Sequence, residues 1–174
     1  LYEFFWRKVS GREQELLLRA AAFDCIRAEQ LPEIAPGQET ALKNLLVRTP
    51  LMHYDPRAGA SYPHELLRHF LLGMLETMPP DFRCQVYEMS GEVYRRTGNK
   101  KAVECFFKAG NDERLLSCEL IALLGEQFGP VSYTALARSV LERCAPETLE
   151  RYPLSMLRLC LALFGGADFA ETAG

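Results

Sequence analysis

The spacing of Tyr87, Ser90, Gly91 and Tyr94, followed by Ala102 and Phe106, constrains this chain more than any other feature. An aromatic, two small residues and a second aromatic at i, i+3, i+4 and i+7 share one face of a helix. The alanine and phenylalanine, four apart, share a face of the next helix, and Gly98-Asn99 supplies the turn between them. A hairpin of this kind cannot bury its own apolar sides. It must stack on neighbours and present a surface, which favours a binding or regulatory scaffold over an enzyme.

The spacing resembles the tetratricopeptide signature, and the apolar pattern around it continues in helices. Phe82, Val86, Met89 and Val93 lay one stripe along the first helix of the hairpin. Asn111 or Asp112 can cap a helix carrying Leu115, Leu116, Leu120, Leu123 and Leu124. After a turn at Phe128-Gly129-Pro130, helices are expected at about 132–144, 147–152 and 153–164, so that everything beyond Pro80 reads as helical. The last of these has two oily sides, Leu154, Leu157, Leu161 and Phe164 on one and Met156, Leu159, Cys160 and Leu163 on the other. Such a helix lacks a neighbour, as in an array that continues elsewhere or a contact between copies in a homo-oligomer.

Residues 1–78 read differently. Leu1, Phe5 and Val9, with Tyr2, Phe4 and Trp6, suggest a short apolar helix closed by Ser10-Gly11, and Glu13 to Ala22 a second. The pattern resumes at Ala28 to Ile34, breaks at Pro36-Gly37, and returns with Leu42, Leu45 and Leu46 on a helix ending near Thr49-Pro50. Leu51–Tyr54 and Ala60–Tyr62 read as two short strands around the turn Asp55-Pro56-Arg57-Ala58-Gly59. Pro63 suits the first turn of a long helix carrying Leu66, Leu67, Phe70, Leu71, Met74 and Leu75. Three helices and a two-stranded wing follow the order of a winged helix. Met78-Pro79-Pro80 then separates this domain, residues 1–78, from a helical-repeat segment, residues 79–174. The expected fold is mainly α, with one small β-hairpin.

Charge limits the partners. Residues 1–72 carry nine basic and nine acidic side chains and the rest carry eleven and fourteen, so neither part has the positive excess that DNA phosphates demand. The helix Thr40–Arg48, with polar Lys43, Asn44 and Arg48, is the one that would read DNA, but the zero net charge of residues 1–72 favours a structural or interdomain role, and direct DNA contact is not expected. Six scattered cysteines, with no C-x-x-C pair, fit buried thiols of a reducing cytoplasm. No apolar run approaches a membrane span, and no signal peptide is visible. The chain starts at Leu1 without an initiator methionine, which suggests a piece of a longer protein.

The segment Tyr62-Pro63-His64-Glu65-Leu66-Leu67-Arg68-His69-Phe70-Leu71 resembles the middle of LuxR-type, ATP-dependent transcription regulators of the maltose-regulator class. Upstream, Glu13 to Ala21 and Leu45 to Tyr54 are similar to segments of that family. So are Gly98 to Asp112 and Arg151-Tyr152-Pro153 downstream. The resemblance implies a winged helix joined to the first sensor repeats, lying between a P-loop NTPase module and a C-terminal helix-turn-helix. It implies ATP or ADP as the ligand of the complete regulator, a small-molecule inducer or regulatory protein as its signal, and signal relay as the task. This chain has no G-x-x-x-x-G-K-[ST] and binds no cofactor of its own.

His64 is the residue to which the resemblance gives a nucleotide-sensing role, since a histidine at this helix start faces the bound nucleotide and helps hold the ADP state. A helix N-terminus favours an anion, and an imidazole there can donate to a phosphate; packing beside the wing is the plainer reading. Phe107 and Tyr133 are candidates for contact with a ligand or partner, whereas Tyr87, Tyr94 and Phe106 occupy core positions of the hairpin. Arg95, Arg96, Lys100 and Lys101 form a basic cluster of the kind that complements helix ends. His64 and His69, five apart, suit no joint metal site, and no catalytic triad or nucleophile elbow is present, so the chain is expected to be non-catalytic. The rival reading is a free-standing tetratricopeptide-like adaptor that binds another protein.

Overall fold

Ser10 begins the first helix because its side chain and that of Glu13 serve each other's backbone. Ser10 Oγ accepts from the Glu13 N–H, and the Ser10 N–H donates to Glu13 Oε2 at 2.9 Å. This capping box opens α1 (Gly11–Ala20) in the computed structural model, which describes residues 3–98, 100–118, 127–128 and 131–171. The chain forms two compact units, Leu1–Val93 and Tyr94–Gly174.

In the first unit α1 is followed by β1 (Ile26–Arg27), α2 (Leu31–Ile34), α3 (Glu39–Arg48), β2 (Met52–Asp55), β3 (Ala60–Pro63), α4 (Glu65–Glu76) and most of α5 (Pro80–Arg96). The strands make an antiparallel sheet in the order β1-β3-β2, with Ile26 opposite Ser61 and His53 opposite Tyr62. α1 packs on α2, α3 and α4. Leu17, Phe23, Ile34, Leu42, Leu67 and Leu75 are fully buried in the core this creates. Leu67, Leu71 and Leu75 come inward together because residues four apart stack on one helical face. Asp55 shapes the β2–β3 turn by accepting from the Arg57 N–H at 2.8 Å, and Gly59 completes it at φ +59°, a conformation that costs a side chain about 1 kcal/mol or more.

Three expectations for this unit are corrected. The apolar segment before Ser10 is not a helix over its described residues but a single 3-10 turn, Trp6–Lys8. Val9 is extended, and Gln14 Nε2 donates to the carbonyls of Trp6 and Val9 at 2.9 and 3.1 Å, which folds the segment back so that Trp6 meets Phe70 edge-on at 5.6 Å. A third strand, β1, joins the two expected ones in a single sheet; two residues are too few to give a readable alternation. Pro63 ends β3 instead of starting α4, whose cap is His64. Pro79-Pro80 ends α4 and starts α5, with Pro80 as the first helical residue, where its missing N–H costs nothing.

The second unit holds α6 (Lys101–Ala109), α7 (Asp112–Leu116), the ladder of β4 (Gln127–Phe128) with β5 (Val131–Ser132), α8 (Tyr133–Arg143), α9 (Pro146–Arg151) and α10 (Pro153–Glu171). The expectation of helices alone beyond Pro80 is therefore corrected by one short hairpin. Of the helix expected through Leu124, the turns as far as Leu116 are described; Leu120, Leu123 and Leu124 lie outside the described residues. Gly110, at φ +72°, closes α6: its N–H donates to Phe107 O and that of Asn111 to Phe106 O, the pairing of a Schellman turn. Asn111 then caps α7 by accepting from the Arg114 N–H at 3.1 Å. α10 lies along α8 and is tied to α7 by Ser155, whose buried hydroxyl donates to Leu116 O at 2.6 Å. Among the described residues no helix is long and apolar enough to cross a membrane.

Candidate functional site

His64 joins β3 to α4. Its N–H donates to Leu51 O at 2.7 Å, and its Nδ1 accepts from the Leu66 N–H at 3.2 Å. With Nδ1 occupied as an acceptor, the neutral imidazole carries its proton on Nε2, on the far side of an exposed ring. That leaves one outward donor at the start of a twelve-residue helix. The same helix start is not an anion cradle by itself, because Glu65 sets a carboxylate in the first turn. Leu51 stands opposite, with φ +64°, the one described non-glycine residue in the left-handed region, and 42% exposed.

Elsewhere on this unit a groove of about 310 Å³ runs between the 3-10 turn and the end of α3. Phe5, Val9, Leu45 and Pro50 make its apolar wall, and Lys8, Glu13 and Arg48 its charged rim. Arg48 pairs with Glu13. Val47, 67% exposed on α3, adds apolar surface where a DNA-reading helix would show polar side chains.

Phe107 and Tyr133 both belong to the second unit, and the structure does not bring them together. Phe107 lies under Arg143, whose guanidinium carbon is 4.7 Å from the ring centre. Arg143 Nε and Nη2 also grip the Asp112 carboxylate at 3.0 and 2.6 Å. The ring is thus the floor of an internal clasp between α6, α7 and α8. Tyr133 opens α8 ten residues before Arg143, roughly 15 Å from it by helical rise. It is buried, and burial pushes its phenol above the ordinary range against the lowering effect of Arg158.

The sign of that shift gives a test. In the unfolded chain Tyr133 ionises near its ordinary pKa of about 10, and in the folded chain only above it, so the folded form holds the proton more tightly. The associated stability is complete below pH 10 and is lost as pH rises through the folded value. Urea midpoints taken between pH 8 and pH 11 should fall less steeply for Tyr133→Phe than for the parent chain. Parallel slopes would show that the phenol ionises alike in both states.

The pairing of Arg143 with Asp112 and of Arg151 with Glu113 is not legible in the sequence. Arg151 pairs with Glu113 at 2.7 Å, and the partners in these two ion pairs are 31 and 38 residues apart, beyond any helical spacing. Cys144 sits beside them, yet burial, and then the Asp112 carboxylate, push its thiol up against Arg143 and Arg151. It is therefore a protonated thiol at neutral pH and a poor nucleophile. No group of His, Cys, Asp and Glu among the described residues could hold a metal ion. No known protein family, curated protein or solved structure matches the chain.

Proposed function

We propose that this chain is the coupling segment of a LuxR-type, maltose-regulator-like ATP-dependent transcription regulator, in which a winged helix is joined to the first of a set of tetratricopeptide-like sensor repeats. One observation supports the reading most: the order α1-β1-α2-α3-β2-β3 with sheet order β1-β3-β2, which fits a winged helix. The buried small residues Ser90 and Gly91 on α5, and the Schellman-closed α6, fit the repeat assignment.

The segment is non-catalytic and works in the cytoplasm. An inducer or regulatory protein binds the helical repeats, and the winged helix shifts its hold on a nucleotide module, which biases the ADP-closed against the ATP-open state. Such a ligand moves the balance only by binding the two states with different affinity. His64 takes part through its free Nε2–H, which can donate to a phosphate oxygen once cations of the nucleotide module offset Glu65. Apolar surface at Val47 and the zero net charge of residues 1–72 suit protein contact better than DNA contact.

The test is His64→Ala in the protein that carries the nucleotide module. ADP should leave about tenfold faster, the loss of roughly 1.4 kcal/mol expected for one hydrogen bond to a charged oxygen, and basal transcription should rise. Unchanged ADP release together with unchanged basal transcription would remove His64 from the switch. A histidine that acts only as a helix cap would lower the melting temperature and leave nucleotide release alone.

A further inference from the structure

We infer that the outer face of α10 is a docking seam for one amphipathic helix of a partner protein, a helix that carries a carboxylate beside its apolar residues. This names the partner surface of the relay reading and rests on it. Leu154, Leu157, Leu161 and Phe164 are 67, 54, 51 and 73% exposed. Their spacing of three, four and three residues is that of the two apolar positions of a heptad, the pattern that accepts a second helix along its length. A strand or an irregular loop would not match that period.

The other side of α10 is already used. Ser155, Leu159 and Ala162 are buried, Ser155 bonds to α7, and Thr134 Oγ1 of α8 donates to Ala162 O at 3.3 Å. Among the described residues the helix therefore has one satisfied face and one exposed one. The bare face runs about 15 Å, or three turns. It offers on the order of 450 Å² of apolar surface, and covering it with a like surface buries about 900 Å² in all, the size of a weak and reversible contact.

Charge decides between a second copy and a different helix. Arg158 is the sole charged residue from Pro153 to Phe164. At 100° per residue it borders the seam, four residues from Leu154 and three from Leu161. It is half-buried, lies near enough to the Tyr133 phenol of α8 to act on it, and makes no ion pair with a carboxylate among the described residues. Antiparallel pairing of two copies would place the twofold axis near Leu159 and bring both Arg158 guanidinium groups to it, a like-charge contact. A helix with Glu or Asp at the flanking position supplies the missing counter-charge instead.

Two fluorescein-labelled helical peptides test this, both with leucine at the heptad apolar positions, one with glutamate and one with lysine at the flanking positions. Fluorescence anisotropy against the 174-residue chain should show the glutamate peptide binding in the micromolar range, about fivefold tighter than the lysine peptide. Arg158→Glu should reverse that preference. Leu157→Asp with Leu161→Asp should weaken binding of the glutamate peptide at least tenfold, roughly, with an unchanged thermal melt because both side chains are exposed.

Equal binding of the two peptides, or a preference that survives Arg158→Glu, would overturn the proposal. So would absence of binding. If sedimentation then showed a dimer dispersed by Leu157→Asp, the occupant would be a second copy. None of these results bears on ADP release from the His64→Ala protein, so the two readings fail separately.

Discussion

Phe23→Ala should destabilise the first unit by about 4 kcal/mol, the usual cost of removing a fully buried phenylalanine ring. Phe23 is 0% exposed and lies between α1 and β1, where Ile26 and Ile34 are also buried. The residue follows a tight run of Ala20, Ala21 and Ala22, all buried, whose small side chains leave the local volume to the ring. Truncation of a ring that is 0% exposed opens a cavity in the core. Trp6 is the chain's only tryptophan and sits in the same unit against Phe70, so its fluorescence in urea reports the transition. Phe23→Leu, which keeps most of the volume, should cost no more than about 1.5 kcal/mol. A midpoint shift equal for both variants would mean that the ring fills no space there.

Asp112→Ala should cost about 2 kcal/mol in the second unit, as expected where a hydrogen-bonded charge loses its partner. The Asp112 side chain is only 15% exposed and that of Arg143 36%, so water screens this pair less than it does a surface ion pair. Removing the carboxylate leaves Arg143 above the Phe107 ring with no counter-ion. Asp112→Asn keeps an acceptor for one N–H and should lose about half as much. Far-UV circular dichroism during urea unfolding measures both. The pair is charge-dependent in a second way: Asp112 stands at the first residue of α7, where a negative charge meets the helix dipole.

Legibility in the sequence followed the range of the interactions. The Asp55–Gly59 turn was readable because each residue acts on its own neighbours, and the α4 core face because Leu67, Leu71 and Leu75 repeat at helical spacing. The two apolar sides of α10 are readable for the same reason, but which of them stays exposed is not, because that depends on where α7 and α8 pack. Non-local features were not. β1 exists because Ile26 reaches Ser61, 35 residues on, and the clasp on Phe107 because Arg143 reaches back 31 residues to Asp112. The segment before Ser10 misled because its apolar residues suggested a helix, whereas Gln14 and Phe70 hold it in another shape. Position alone makes Phe107 a contact candidate; nothing in the sequence indicates that an arginine covers it.

The backward-turned peptide at Leu51 carries one more implication. Glycine would hold φ +64° with almost no penalty, whereas leucine gives up roughly 1–2 kcal/mol to stand there. In exchange an isobutyl group rides on the outside, 42% in water, on the residue whose carbonyl is held by the His64 backbone. One backbone hydrogen bond thus ties an apolar side chain that meets water to the residue whose imidazole caps α4.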